Sequence, residues 1–364
     1  MSVQDTKKKI WKFVGVDFSH MHIYGLMNQV HACSEANLVG IADRQRNLLL
    51  PAQTSTGLSD DDLFDDFERM LDERKPDVAV ICSSPDKHGD YVEKITQRGI
   101  HCLVEKPMAA SLTEADRIIA VWKQSGVKLA INWPMRWYPT LVTAYRSVQE
   151  GIIGKIQQVN YRNGNQGPGY IGRKLTEPPP SKESLVSTWF WRKPSGGIIN
   201  DYIGYGTTLM TWYLNGKTPI EVNALATNLR GTEVEDNVVA AVKYDDVFCR
   251  LEATWTSLTS PWEIQPQPPH GFVLVGERGS ISAYDYFDHV RVATLEHPEG
   301  YDVPCDKLLS PNNNPIEYFV DCLNKDCEPE GPLNPDICRI GQAITEAVKI
   351  SSDKGRTVAL KEIL

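Results

Sequence analysis

Short apolar runs punctuate the first third of the chain at 10–16 (IWKFVGV), 38–42 (LVGIA), 78–82 (VAVIC), 100–104 (IHCLV) and 127–131 (VKLAI). Each is too short for a helix and dense in Val and Ile, as strands buried on both faces are. Helical periodicity lies between them. Ser59 is placed to cap a helix with Asp60, Asp61 and Asp62 in its first turn and Leu63, Phe67, Met70 and Leu71 on its apolar face, an arrangement the helix dipole favours. Ser111 and Glu114 make a capping box ahead of Ala115, Ile118, Ile119 and Trp122, and Gly126 stands just past the end. Strand–helix alternation of this kind predicts a parallel, doubly wound, Rossmann-type α/β sheet over residues 1–132.

Beyond about residue 150 the period becomes two. In 247–256, Val247, Cys249, Leu251, Ala253 and Trp255 face one way, and Phe248, Arg250, Glu252 and Thr254 the other, the signature of a strand with one face in a core. Similar runs fall at 155–162, 220–228, 238–244, 272–276, 281–284 and 290–295. They predict an α+β domain over 133–364 with a large mixed, mostly antiparallel sheet covered on one side by helices. Two helices close the chain, at 315–325 with Ile316, Phe319, Val320 and Leu323 in one stripe, and at 335–352 with Ile337, Ile340, Ile344 and Val348. The C-terminal helix is expected to be able to return to the first domain. Two Gly/Pro-rich stretches, 164–187 and 259–271, have no period and read as functional or mobile loops.

At 364 residues the chain has length for two domains at about 150 residues each. Its net charge of −9 opposes nucleic-acid binding, which needs a basic surface. No run approaches the ~18 apolar residues of a membrane span, and the start lacks the apolar core of a signal peptide. The eight cysteines have no CxxC pair and read as reduced thiols of a cytoplasmic protein. No metal site is expected, because His20 and His22 have no third ligand evident from spacing.

In a doubly wound sheet ligands bind beyond the carboxyl ends of the strands. After the first run comes Gly15-Val16-Asp17-Phe18-Ser19-His20, which keeps only the first glycine of a GxGxxG turn. A plain strand–helix turn is one reading; the other presents backbone N–H groups and Ser19 to a pyrophosphate. Asp43 after the second run suits both ribose hydroxyls of an adenosine and would repel a 2′-phosphate, favouring NAD over NADP, although Arg44 and Arg46 could turn toward a phosphate. Ser83, Ser84 and His88 follow the third run, and Glu105-Lys106-Pro107 follows the fourth. A lysine fixed there by proline is suited to stabilise an alkoxide as hydride leaves carbon.

These residues add up. With CSSPDKH at 82–88, GIHCLVEKPMAASLTEA at 99–115, INWPMRWYP at 131–139, WRKPSGGIINDYIGYG at 191–206 and SSDKGRTVAL at 351–360, the chain resembles the Gfo/Idh/MocA oxidoreductases (glucose–fructose oxidoreductase, inositol dehydrogenase and relatives) over nearly its whole length. The resemblance implies that Lys106 faces nicotinamide and the substrate hydroxyl, with a Lys106–Pro107 bond that is often cis in the family. It implies a second catalytic element at Ser195-Gly196-Gly197 and Asp201, with Tyr205 where the family usually has His. It also implies a homodimer or homotetramer. Asn132 is a further candidate cofactor contact, and Arg192 can donate to sugar hydroxyls or to cofactor phosphate.

Asp201 and Tyr205, spaced i, i+4, would share a helical face. In one scheme Tyr205, with an ordinary pKa of ~10 lowered by Lys106, moves the hydroxyl proton while Asp201 orients it. In the other, Tyr205 only positions substrate and Lys106 carries the proton. Trp133, Arg136, Trp137 and Trp191 are the candidate sugar contacts, since flat rings suit pyranose C–H faces. The expected activity is NAD-dependent oxidation or reduction of a secondary hydroxyl on a sugar, glycoside or cyclitol. Glycoside cleavage through transient C3 oxidation and non-catalytic dinucleotide or sugar sensing are the alternatives.

Overall fold

The computed structural model describes residues 9–170, 173–174, 176–257 and 269–364. Two compact units emerge: Met1–Met108, Glu114–Asn132 and Leu309–Pro335 form the first, and Ala109–Thr113, Trp133–Leu308 and Asp336–Leu364 the second.

In the first unit, strands β1 (Trp11–Val16), β2 (Ala36–Ala42), β3 (Leu63–Phe64), β4 (Val78–Ile81), β5 (His101–Glu105) and β6 (Leu129–Asn132) form one parallel sheet. Their order is β3-β2-β1-β4-β5-β6, the doubly wound arrangement whose crevice lies where the order reverses, between β1 and β4. All the predicted apolar runs of this unit are strands. The helix expected from Ser59 is not there as one piece. Asp60–Asp62 makes a single 3₁₀ turn, with the Ser59 N–H donating to Asp62 Oδ2 at 3.0 Å. Leu63 and Phe64 then join the sheet beside Ile41 and Ala42, buried, and the helix starts only at Phe67, capped by Asp66. Burying two large apolar side chains in the sheet overrides local helical periodicity.

The core of this unit joins Phe13, Ile23, Met27, Ile41, Leu49, Val80 and Leu103 to Ile316, Phe319 and Val320 from the helix Pro315–Lys325. Asn314 caps that helix, its Oδ1 accepting from the Ile316 and Glu317 N–H groups at 3.0 and 2.9 Å. The Trp11 indole N–H donates to Asn324 Oδ1 at 3.0 Å and ties it to β1. It is therefore this helix, and not the last one (Pro335–Lys354), that the chain returns to the first unit.

The second unit holds β7 (Ile156–Gly164), β8 (Glu221–Thr227), β9 (Asn237–Lys243), β10 (Phe248–Thr254), β11 (Gly271–Gly276), β12 (Gly279–Tyr284), β13 (His289–Thr294), β14 (Tyr301–Pro304) and β15 (Val358–Ala359). Sheet order is β14-β13-β12-β11-β7-β10-β9-β8-β15, with β7 and β10 parallel and the other pairs antiparallel. The alternation read in 247–256 holds: Cys249, Leu251 and Ala253 are buried, while Phe248, Arg250 and Glu252 are exposed.

On the buried face lies the helix Gly204–Tyr213, enclosed along its whole length. It passes so near β7 that a Cβ on Gly206 would come 2.5 Å from the Tyr161 ring, a distance only glycine permits. The last helix packs on its far side, Thr345 and Thr207 hydroxyls 2.9 Å apart. Of the two aperiodic stretches, 164–187 contains a short helix, Lys182–Val186, capped by Ser181. Residues 259–268 of the other lie outside the described set.

Candidate active site

The turn after β1 is built around Asp17. It holds φ 59°, a left-handed conformation that usually calls for glycine. Asp17 adopts it because its own carboxylate accepts the Ser19 N–H at 3.0 Å, a local bond that makes Asp one of the few alternatives. The Tyr91 hydroxyl donates to the same carboxylate at 3.0 Å, and Lys87 stands 3.9 Å away. The Phe18 N–H goes to Asp43 Oδ2 at 2.7 Å and the Gln45 N–H to Asp43 Oδ1 at 2.7 Å. The turn thus spends these N–H groups within itself instead of offering them to a pyrophosphate, and the Phe18 ring is a core residue.

Beside the turn, Asp17, Ser19, Asp43, Arg44, Lys87 and Tyr91 line a cavity of about 360 Å³ at the carboxyl ends of β1 and β2. Its acidic lining suits a ribose, whose hydroxyls can donate to the remaining lone pairs of Asp43. Gly15 keeps the close-packing role of the glycine turn, since a Cβ there would meet Met27 Sδ at 2.7 Å.

At the end of β4, Ser83 and Ser84 are buried. His88 is wholly enclosed: Nε2 lies 3.1 Å from the Ser83 carbonyl, and Nδ1 3.1 and 3.2 Å from the carbonyls of Pro107 and Met108. It is a brace between two loops, not the cofactor contact the sequence suggests. Burial pushes its pKa below the ordinary histidine value, against the backbone carbonyls.

The turn that His88 braces carries Lys106, only 4% exposed, and a cis Lys106–Pro107 bond. Glu105 pairs in register with Asn132 across β5 and β6. Its Oε1 lies 2.8 Å from His22 Nδ1, and its Oε2 accepts from Asn132 Nδ2 at 2.9 Å. Burial by itself would raise this carboxyl; its interactions with His22 and His20, the His22 hydrogen bond and Lys106 outweigh it and hold the pKa at about 2. A fixed carboxylate is thereby supplied next to a buried ammonium, the pairing that makes such burial tolerable.

Glu105 is the third group that spacing did not reveal beside His20 and His22; the three offer ligand atoms within 4.8 Å of one another. The chemistry does not suit a cation. His20 Nδ1 accepts the His22 N–H at 3.1 Å, which puts the neutral ring's proton on Nε2 and takes away a ligating lone pair. Burial, followed by the neighbouring cations, holds His20 well below its ordinary pKa despite Glu105, with Lys106 among those cations. Glu105, held by His22 and Asn132, is the lysine's counter-charge.

In the second unit, a cis Lys193–Pro194 bond precedes the turn Ser195-Gly196-Gly197. Asn200 Nδ2 donates to the carbonyls of Pro194, Ser195 and Gly196 at 3.2, 3.0 and 3.1 Å. Gly197 has φ 96°, and a Cβ on it would fall 2.3 Å from Glu235 Oε1, which accepts the Ile199 N–H at 3.2 Å. The backbone then makes one π-helical turn, Ile199–Ile203, before the α-helix from Gly204. Asp201 and Tyr205 therefore straddle a π–α junction and not a continuous α-helical face; π turns of this kind recur at functional sites. Both are nearly buried, and Tyr205 lies edge-on to Trp133.

Two proposed sugar contacts are core residues. Trp133 is wedged against Gly204 and Tyr205. Trp191 is fully enclosed, its Nε1 donating to the Pro168 carbonyl at 2.9 Å and its ring 4.7 Å from that of Trp255. Trp137 keeps a partly exposed ring with the Arg136 guanidinium 5.1 Å from its centroid, and Arg192 is exposed.

Sequence reading missed the polar lining under the π turn. Tyr161 donates to the Tyr202 carbonyl at 3.2 Å, Asn163 Nδ2 to the Tyr161 hydroxyl at 2.8 Å, and Asn165 Nδ2 to the Tyr202 hydroxyl at 2.5 Å. The run Asn160-Tyr161-Arg162-Asn163-Gly164-Asn165 is polar for a strand end that enters a core, and that was the available signal.

Comparison with known proteins agrees with this geometry. Residues 11–133 match the profile described as "Oxidoreductase family, NAD-binding Rossmann fold", and residues 141–282 match the "GFO/IDH/MocA C-terminal domain". The chain is 28% identical over 358 residues to D-apiose dehydrogenase of Paraburkholderia graminis, covering 92% of this chain and 87% of that protein. It is 25% identical over 260 residues to inositol 2-dehydrogenase of Rhizobium meliloti, covering 69% and 72%. An oxidoreductase from Agrobacterium radiobacter, solved with NAD⁺, L-tartaric acid and magnesium, superposes with a TM-score of 0.79 at 16% identity over 98% of this chain and all of that one.

Proposed function

Since the chain belongs to the Gfo/Idh/MocA oxidoreductase family, with its NAD-binding Rossmann fold and an activity on CH–OH groups, we propose that it oxidises or reduces a secondary hydroxyl of a neutral sugar or cyclitol at Lys106, Asp201 and Tyr205. Inositol and apiose, the substrates named for its relatives, define the class to try first. NAD, when bound, supplies the hydride acceptor, or the donor in reverse.

The observation that carries the proposal is the buried Lys106 ammonium beside a carboxylate whose proton affinity is pinned low. Beside the Glu105 carboxylate, Lys106 donates a hydrogen bond to the reacting oxygen and stabilises the negative charge that grows there. Tyr205 exchanges the hydroxyl proton, and Asp201 orients the substrate hydroxyl toward it. Trp133 and Gly204 fix the Tyr205 ring, so the phenol arrives with little freedom to lose. Asp43 holds the adenosine ribose and makes a 2′-phosphate unwelcome, while Arg192 serves the diphosphate.

The test is a panel of D-apiose, myo-inositol, D-glucose and methyl glucosides with NAD, scored for NADH. Formation of NADH with at least one member supports the proposal. Release of methanol from a glucoside with no net NADH would favour the cleaving reaction instead.

A homo-oligomer is part of the same reading. The outer face of the second sheet carries Leu225 directly across from Val239, both exposed, an apolar pair that a second copy of the chain would cover. A cytoplasmic location fits eight cysteines without a disulfide. Among the described residues no helix is long and apolar enough to cross a membrane.

A further inference from the structure

One row of the second sheet ends in polar groups that the fold leaves unserved. β7, β11 and β12 are neighbours; Gly271 pairs with Arg162 on one side and with Tyr284 on the other. One step along the ladder, Asn163, His270 and Asp285 therefore stand side by side, the Asp285 N–H donating to the His270 carbonyl at 2.9 Å. By strand alternation they share the buried face with Tyr161, Phe272 and Ala283.

Asn163 is satisfied by Tyr161 and by the Gly164 N–H. The other two are not. His270 and Asp285 are 4% and 5% exposed, and among the described residues neither His270 Nε2 nor Asp285 Oδ1 has a hydrogen-bond partner. The Asp285 charge acts on the phenols of Tyr138, Tyr161, Tyr202, Tyr213 and Tyr286, raising the pKa of each. The hairpin that presents it is held in a demanding conformation, with Tyr286 at φ 64° and its hydroxyl 3.1 Å from that of Tyr138. A buried carboxyl and a buried imidazole without partners destabilise a fold unless something else supplies the missing bonds.

We infer that Asp285 and His270 grip a hydroxyl of the substrate other than the one oxidised, and so select a neutral polyol. The inference rests on the proposed oxidoreductase reading and sharpens it. Neutrality follows from the setting. Burial lifts Asp285 to about 7, and burial, then Arg162, depresses His270 to about 4. Near neutral pH the imidazole is neutral and the carboxyl about half protonated, so the pair offers both donors and acceptors, which a hydroxyl complements and an anion does not. The row shares its face with Tyr161, whose hydroxyl donates to the Tyr202 carbonyl of the π turn at 3.2 Å, and the Tyr202 ring is 6.4 Å from that of Tyr205.

Wild type, D285N, D285L and H270F are compared at saturating NAD with whichever of myo-inositol, D-apiose and D-glucose wild type oxidises fastest, with folding checked by urea melts. The expected result for D285L and H270F is a KM raised at least about tenfold with kcat within about twofold. D285N, which keeps a donor and an acceptor, stays within about threefold in both. Unchanged KM in D285L, or a fall in kcat alone, overturns the assignment while leaving hydride transfer intact. Preference for glucosamine over D-glucose, lost equally in D285N and D285L, overturns the neutral-polyol part. If wild type oxidises none of the three, the parent reading fails, and calorimetric titration of the same polyols decides recognition by itself: heat with wild type but not D285L sustains it, and no heat with wild type overturns it.

Discussion

Trp133 meets Tyr205 edge to face, ring centroids 5.0 Å apart at 73°, with the indole pressed on the Cα of Gly204. The tryptophan that looks from sequence like a sugar platform is instead the wall that fixes the candidate proton donor. Trp133→Ala should lower stability by about 3–5 kcal/mol, the range for deleting a buried aromatic. Trp133→Phe should cost less and reduce kcat more than it raises the sugar KM. Urea unfolding and steady-state kinetics check both; a large KM effect with stability intact would restore the platform role.

Lys106→Met removes the ammonium but keeps most of the buried stem. Loss of one preorganised donor to a developing oxyanion commonly costs about 10²–10³ in kcat. Turnover should fall by at least that factor, with NAD affinity nearly unchanged by fluorescence titration. Coupling to the second unit is read from Tyr205→Phe and the double variant. If Lys106 and Tyr205 serve one hydroxyl, their losses will be less than additive.

Asp43 accepts two backbone N–H groups and faces the cavity beside Arg44. Asp43→Asn should weaken NAD by about tenfold to a hundredfold, as a charge-assisted bond of about 1.5–3 kcal/mol is lost. NADP should gain relative to NAD, because the charge that repels its 2′-phosphate is gone. Comparing kcat/KM for the two dinucleotides measures the shift.

Glu105 titrates at about 2 in the fold against 4.5 ordinarily. Its folded pKa lies below the unfolded one, so the unfolded state binds more protons in between. The stabilisation is complete above about pH 4.5 and is lost as pH falls toward 2. Wild type and Glu105→Gln should converge in urea midpoint over that window and stay separated at neutral pH. Parallel curves would mean that the carboxylate is not held by His22 and Asn132.

How far a reader of the sequence could go depended on the range of the interactions. Strand runs, the helix Pro315–Lys325 and the alternation in β10 were legible because burial on one or both faces imposes a local period. The motifs around Lys106, Asp201 and Tyr205 were legible as strings. Ser59 misled because the pairing of Leu63 and Phe64 with β2 is non-local. Trp191 misled because adjacency to a motif says nothing of which way a ring points.

By itself the sequence determined the two architectures and the family and pointed to candidate chemistry-bearing residues, since periodicity and contiguous motifs are properties of neighbours along the chain. Only the tertiary structure decided that Glu105 is clamped between His22 and Asn132, that Asp201 sits on a π turn, and that His270 and Asp285 share a row without partners. Those facts depend on strand register and on which side chains are sealed from water. A shift of one residue in pairing would turn the same letters to the opposite face.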